Sequence, residues 1–298
     1  MITIDSLSKK YGRRTVVDHV TFTSRSGRVT GFLGPNGAGK STAMRMMVGL
    51  TRPDTGHVTI SGRAFADLPN PGREVGVMLD ASAQHAGRTG REILTLAQRT
   101  MGLPADRVPE MVHRVGLTEA EAERRVGTYS LGMRQRLGVA VALIGAPSVL
   151  ILDEPANGLD PAGIRWMRDL LRAFADEGGT VLLSSHLLHE VEVIADDLVM
   201  IGHGRIVSEG SKAELLQATG TVVRARDIET LARALRDAGL VTTRTHDGAL
   251  HTDAEPTAVG LVARESGLAL TELRTAAGGL EEMFLALTAD TQREGKAA

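Results

Sequence analysis

Gly34-Pro35-Asn36-Gly37-Ala38-Gly39-Lys40-Ser41 decides the reading of this chain. The octapeptide has the form G-x-x-x-x-G-K-[ST], a spacing that arises by chance in a chain of 298 residues on the order of one time in a hundred. Each part has a chemical task. Glycines let the backbone turn its N–H groups inward around phosphate oxygens. Lys40 supplies a mobile point charge for the terminal phosphates, and Ser41 offers a hydroxyl to Mg2+. Arg28 to Leu33 reads as an apolar strand entering the loop and Thr42 to Leu50 as a helix leaving it, so the positive end of a helix faces the anion. On this reading Gly34, Asn36, Gly37, Ala38, Gly39, Lys40, Ser41 and Thr42 hold the phosphates of a nucleotide.

Further along, Val149-Leu150-Ile151-Leu152-Asp153-Glu154 is an apolar strand that ends in two carboxylates. A buried strand of an open α/β sheet delivers such groups to its C-terminal edge, where ligands sit. Asp153 is then the expected Mg2+ ligand, mostly through water, and Glu154 the general base that polarises the attacking water. His186 follows the strand 180–184. It is placed either to donate a hydrogen bond to a terminal phosphate or to cap the next helix. Tyr11, 29 residues before Lys40, either stacks on an adenine ring or is a half-buried loop aromatic.

The surrounding pattern is α/β. Strand signals fill 2–33, 57–60 and 75–79. At 88–145 the character changes to short helices without strands. Thr89 with Glu92, and Thr118 with Glu121, have the spacing of capping boxes. Strands at 148–152, 180–184 and 197–201 alternate with helices at 161–177 and 187–195, which predicts a parallel sheet. Ser211 with Glu214 marks another capped helix. From about residue 220 the order becomes strand 221–226, helix 228–238, strands 240–246 and 249–253, helix 256–266 and strand 268–274. That is the split βαβ order of a small ferredoxin-like unit. A last helix is expected at 280–287, then a polar tail at 291–298. The predicted domains are 1–219 and 220–290.

Composition closes off several function classes. With 34 Lys+Arg against 36 Asp+Glu, the net charge of −2 argues against a protein that coats nucleic acid. With no cysteine there is no disulfide, thiolate metal site or cysteine nucleophile. No apolar run reaches 18 residues, and Met1 to Lys10 carries charges where a signal peptide needs an apolar core. The expectation is a protein that is soluble unless something holds it to a membrane.

Together these motifs resemble the ATP-binding subunit of an ABC transporter. Tyr129-Ser130-Leu131-Gly132-Met133-Arg134-Gln135-Arg136-Leu137 resembles the family's signature at the start of a helix, Asn157-Gly158-Leu159-Asp160 its D-loop, and Leu183-Ser184-Ser185-His186 its switch histidine. The motifs keep the family's order over residues 11–186. Three positions depart from it. Leu131 and Met133 stand where the family has Gly and Gln, and Asp80 replaces the glutamine expected after the strand 75–79. With the closing Leu280-Glu281-Glu282-Met283-Phe284, these features resemble the subgroup that serves drug and bacitracin exporters.

The resemblance implies a P-loop fold of ABC type: a mixed sheet core, an N-terminal antiparallel part, a helical insert and a small α+β C-terminal domain. It implies ATP and Mg2+ as ligands, with Lys40, Glu154 and His186 in hydrolysis and Ser41, Asp153 and Asp80 near the metal. It also implies a head-to-tail homodimer in which Ser130 and Gly132 meet the nucleotide of the other copy, with Asp160 of the D-loop also a nucleotide-binding residue. An integral membrane permease on a separate chain and a place at the inner face of the membrane are expected, with no direct nucleic acid partner. Two alternatives stay open. An importer subunit with a regulatory C-terminal domain would carry the same motifs. A soluble ABC ATPase acting on nucleic acid is disfavoured by the single phosphate loop, the missing cysteines and the absence of sustained heptads.

Overall fold

The computed structural model describes residues 1–185, 188–215, 220–245 and 248–275. The chain divides into two compact units, the first ending at Lys212 and the second beginning at Ala213. Thr219, where the sequence places the boundary, lies outside the described residues, as do the helix expected at 280–287 and the polar tail.

The first unit is built on two sheets. β1 (Ile2–Tyr11) pairs antiparallel with β2 (Arg14–Ser24) on one side and with β4 (Thr55–Ile60) on the other. The second sheet has the order β5-β6-β7-β3-β8-β9, from β3 (Arg28–Leu33), β5 (Val75–Met78), β6 (Val149–Leu152), β7 (Thr180–Ser185), β8 (Asp197–Gly202) and β9 (Arg205–Ser211). All its pairs are parallel except β8 with β9. Strands β6, β7 and β8 are buried throughout, as parallel strands covered on both faces must be.

Helix α1 (Lys40–Met47) joins the two sheets. Its Met44 and Met47 are fully buried in one core with Ile2, Ile4, Phe22 and Ile60 of the first sheet and Phe32, Ile151 and Leu182 of the second. Burying side chains of this size contributes about 1.5–3 kcal/mol each, so this core fixes the start of α1 and with it the phosphate loop.

The segment between β5 and β6 is helical, with α2 (Gly90–Thr100), α3 (Arg107–Arg114), α4 (Glu119–Ala122) and α5 (Leu131–Leu143). Both expected capping boxes form: Thr89 with Glu92, and Thr118 with Glu121, exchange side-chain and backbone hydrogen bonds in both directions. Helix α6 (Pro161–Asp176) follows β6, and α7 (Leu188–Ile194) follows β7.

Strand β9 is absent from the sequence reading. It lies at the sheet edge with alternating exposure, and reaches β8 through the two-residue turn His203-Gly204, both at positive φ. Such turns are read most easily from Asn-Gly or Asp-Gly, and His-Gly gives no such signal. Ser211 is therefore the last residue of β9 rather than the cap of a full helix, and α8 (Lys212–Leu215) is a single turn.

The second unit contains β10 (Thr221–Ala225), α9 (Ile228–Asp237), β11 (Thr243–Arg244), β12 (Leu250–Thr252), α10 (Pro256–Glu265) and β13 (Leu270–Thr275). The sheet order is β11-β12-β10-β13 with every pair antiparallel, which is the split βαβ arrangement. Asp227 caps α9 by accepting from the Thr230 amide at 3.0 Å, and Pro256 opens α10. Val223, Leu231, Leu235, Leu250 and Val259 form its own small core. Of the strand expected at 240–246, only Thr243 and Arg244 pair within the described residues.

Candidate functional site

Strand β3 delivers the chain into the phosphate loop at the C-terminal edge of the sheet. Gly39 precedes α1 at φ 107°, and a Cβ there would lie 2.5 Å from the Val16 carbonyl oxygen. Only glycine meets both demands, so the loop turns tightly against β2. The first turn of α1 carries no acidic residue, which leaves the positive helix end to an anion.

The loop, α1 and the end of β6 enclose a cleft of 230 Å³ lined by Val16, Asn36, Gly37, Gly39, Lys40, Ser41, Thr42, Asp153 and Glu154. Eight of these nine come from motifs far apart in sequence, and only Val16 was missed. It arrives from β2 through the antiparallel sheet, and nothing local marks it. Gly34 and Ala38 are buried behind the loop, where the Gly34 carbonyl accepts from Lys40 and the Ala38 carbonyl from the Gly204 amide.

The Lys40 ammonium is almost wholly buried and donates to the carbonyls of Gly34 at 2.6 Å and Pro35 at 3.3 Å. Burial pushes its pKa down, while Glu154 and then Asp153 oppose the shift through their charges. The lysine is thus held by two neutral carbonyl acceptors.

Ser184, buried in β7, holds the Asp153 carboxylate and the Glu154 backbone. Its hydroxyl donates to Asp153 Oδ1 and accepts from the Glu154 amide at 3.0 Å. The sequence reading quotes Ser184 only as part of the motif ending in His186, because only strand pairing brings it beside Asp153. Glu154 itself has φ +51°, a left-handed conformation that a non-glycine residue adopts seldom, at a cost of about 1–3 kcal/mol.

Other expected residues lie elsewhere. Ser130 is exposed and caps α5, accepting from the Met133 amide at 3.2 Å. Asp160 is exposed and caps α6, accepting from the Gly163 amide at 2.7 Å. Gly158, at φ +74°, lets Leu131 pack directly on the D-loop: a Cβ there would fall 2.0 Å from Leu131 Cδ2. Tyr11 is 53% exposed at the end of β1, with the Lys9 ammonium 5.6 Å from its ring centre, and does not line the cleft. His186 lies outside the described residues.

Asp80, expected near the metal, does not line the cleft. Its carboxylate is occupied by the turn that follows, accepting from the Ser82 amide at 2.7 Å and the Ser82 hydroxyl at 2.6 Å. These hydrogen bonds, led by the hydroxyl, hold its pKa below the usual carboxylate range. Asparagine caps as well as aspartate, so Asp80→Asn is expected to leave ATP affinity within about tenfold, roughly 1.4 kcal/mol. Asp80→Ala removes the cap and should cost about 0.5–2 kcal/mol of stability, read from urea unfolding.

The family model described as ABC transporter matches residues 17–157. The uncharacterized ABC transporter ATP-binding protein YhcH of Bacillus subtilis (strain 168) is 35% identical over 99% of this chain and 98% of its own length. The daunorubicin/doxorubicin resistance ATP-binding protein DrrA of Streptomyces peucetius is 36% identical over 96% of this chain and 92% of its own length. A solved ATP-binding subunit of an ABC transporter superposes with a TM-score of 0.66 at 29% identity, covering 72% of this chain and 91% of the other. With a phosphate loop, Asp153 and Glu154 converging on one cleft, the chain belongs to the ABC transporter ATP-binding proteins and is an ATPase of that family.

Proposed function

We propose that this chain powers an exporter: two copies associate head to tail, hydrolyse ATP between them, and pass the closing motion to a membrane-spanning permease on separate chains. One observation carries the dimer. Ser130 and Gly132 stand at the start of α5 and do not line the cleft formed by the phosphate loop, Asp153 and Glu154. Within one chain the signature residues lie outside that cleft; a second copy would bring a nucleotide to them. The likeness to DrrA, whose name gives resistance to daunorubicin and doxorubicin, extends over 96% of this chain and 92% of its own length and supports the reading of an exporter of an organic compound. No helix among the described residues is long and apolar enough to cross a membrane. In this reading the transport path belongs to the permease, with this chain at its cytoplasmic side.

In the proposed cycle the N–H groups of the loop and of α1 receive the phosphates, and Lys40 transfers its ammonium from the Gly34 carbonyl to a phosphate oxygen. Glu154 takes the proton of the attacking water. His186 donates to the terminal phosphate, and Tyr11 stacks on the adenine. Ser41 and Asp153 line the same cleft as a hydroxyl and a carboxylate, a hard-oxygen set that suits Mg2+ bound jointly with phosphate and water. The metal would neutralise charge building on the phosphate oxygens. Asp80 is assigned to the loop turn rather than to the metal. The described residues beyond 220 are assigned no catalytic role.

Purification of the tagged chain from detergent-solubilised membranes, with mass spectrometry of what is bound, tests this reading. A polytopic permease that raises ATP hydrolysis on reconstitution supports it. A complex that also requires an extracellular solute-binding protein would make the chain an importer subunit. A chain bound to no membrane protein would end the proposal.

A further inference from the structure

Gln135 is only 5% exposed, in the second turn of α5. Its Nε2 donates to two carbonyls, that of Asn157 at 3.1 Å and that of Glu154 at 3.3 Å. Its Oε1 is buried and has no hydrogen-bond partner among the described residues. The reverse orientation of the amide would press Oε1 against two carbonyl oxygens, so the surroundings fix the donor side. An unpaired buried acceptor is unfavourable, and the other buried positions of α5 are apolar, Leu137, Val139, Ala140 and Leu143 among them. Methionine would fill the space without that penalty. What glutamine adds here is the pair of donated hydrogen bonds.

Those bonds fall on the strained part of the site. Glu154 sits at φ +51°, its N–H donating to Ser184 on the buried strand β7 and its carbonyl accepting from Gln135 on α5. The peptide groups on either side of Glu154 are therefore tied to two different parts of the first unit, the sheet and the helical insert. The same helix α5 begins at Ser130 and Leu131. We infer that Gln135 is a positioning residue: it fixes the backbone from Glu154 to Asn157 to the signature helix, so that the aim of the Glu154 carboxylate depends on where that helix stands. In the head-to-tail dimer, engagement of Ser130 and Gly132 with the partner's nucleotide then sets the base for this chain's own nucleotide. The inference rests on the role proposed above for Glu154.

The test uses the full chain as wild type, Gln135→Met and Gln135→Asn. Methionine keeps the volume and removes the donors; asparagine keeps the amide but is too short to reach both carbonyls. Steady-state hydrolysis, equilibrium binding of Mg-ATP, single-turnover rates and thermal unfolding are measured. In the folded variants kcat should fall about ten- to a hundredfold with ATP affinity held within about threefold, since only the chemical step depends on the aim of Glu154. Added to Glu154→Gln, the Gln135→Met change should alter the single-turnover rate by less than about twofold, because residues acting through one group are not additive. An unchanged kcat, a loss confined to ATP affinity, or full additivity with Glu154→Gln overturns the inference. Failure of both variants to fold also overturns it, making the contact one of stability alone. A Glu154→Gln protein hydrolysing ATP at the wild-type rate would instead remove the underlying reading of Glu154.

Discussion

Glu154→Gln is expected to lower kcat for ATP hydrolysis by about 10²–10⁴-fold while ATP binding persists. Glutamine keeps the length of the side chain and every backbone contact: the amide on Ser184 Oγ and the carbonyl under Gln135. The fold around φ +51° therefore has no reason to relax. What disappears is a basic oxygen able to take a proton from water, and with it one negative charge in a cleft that receives phosphates. Affinity for ATP should thus stay level or rise slightly, and the closed dimer should accumulate in ATP. Hydrolysis by phosphate release, and dimer formation by size exclusion with and without ATP, check both halves. Normal turnover would show that another group is the base.

Lys40→Ala should fail in a different way, by weakening the nucleotide complex itself. A charge-assisted hydrogen bond is worth about 1.5–3 kcal/mol, which corresponds to roughly a ten- to hundredfold loss of ATP affinity. Hydrolysis should fall at least as far, since the same ammonium faces the charge that develops on the terminal phosphate. Stability without nucleotide should change little. The buried ammonium is disfavoured by desolvation, as its lowered pKa reports, and losing that penalty offsets the loss of a donor to the Gly34 carbonyl. Lys40→Arg is not a safe substitute, because a planar guanidinium does not fit where the lysine is 6% exposed. Calorimetric ATP binding set beside thermal unfolding separates affinity from stability. A variant that unfolds without nucleotide would mean that Lys40 is structural first.

By itself the sequence determined the parts whose physics is local. The spacing of Gly34, Gly39, Lys40 and Ser41 specifies a phosphate loop because backbone turn, charge and hydroxyl must follow one another within eight residues. The apolar run before Asp153 specifies a buried strand, and the capping boxes at Thr89 and Thr118 specify helix starts, because each is satisfied within one turn. Tertiary structure decided what depends on neighbours remote in sequence. Val16 enters the cleft because β2 packs across Gly39. Ser184 becomes the support of Asp153 and Glu154 because β7 lies beside β6. Gln135 reads as one more polar residue in a helix until the fold sets it under the carbonyls of Glu154 and Asn157. Asp80 carries a charge suited to a metal, but its short side chain is taken by Ser82, two residues away. A side chain's type limits what it can do; which partner claims it is settled by the lowest free energy of the whole packed chain, and no local pattern records that choice.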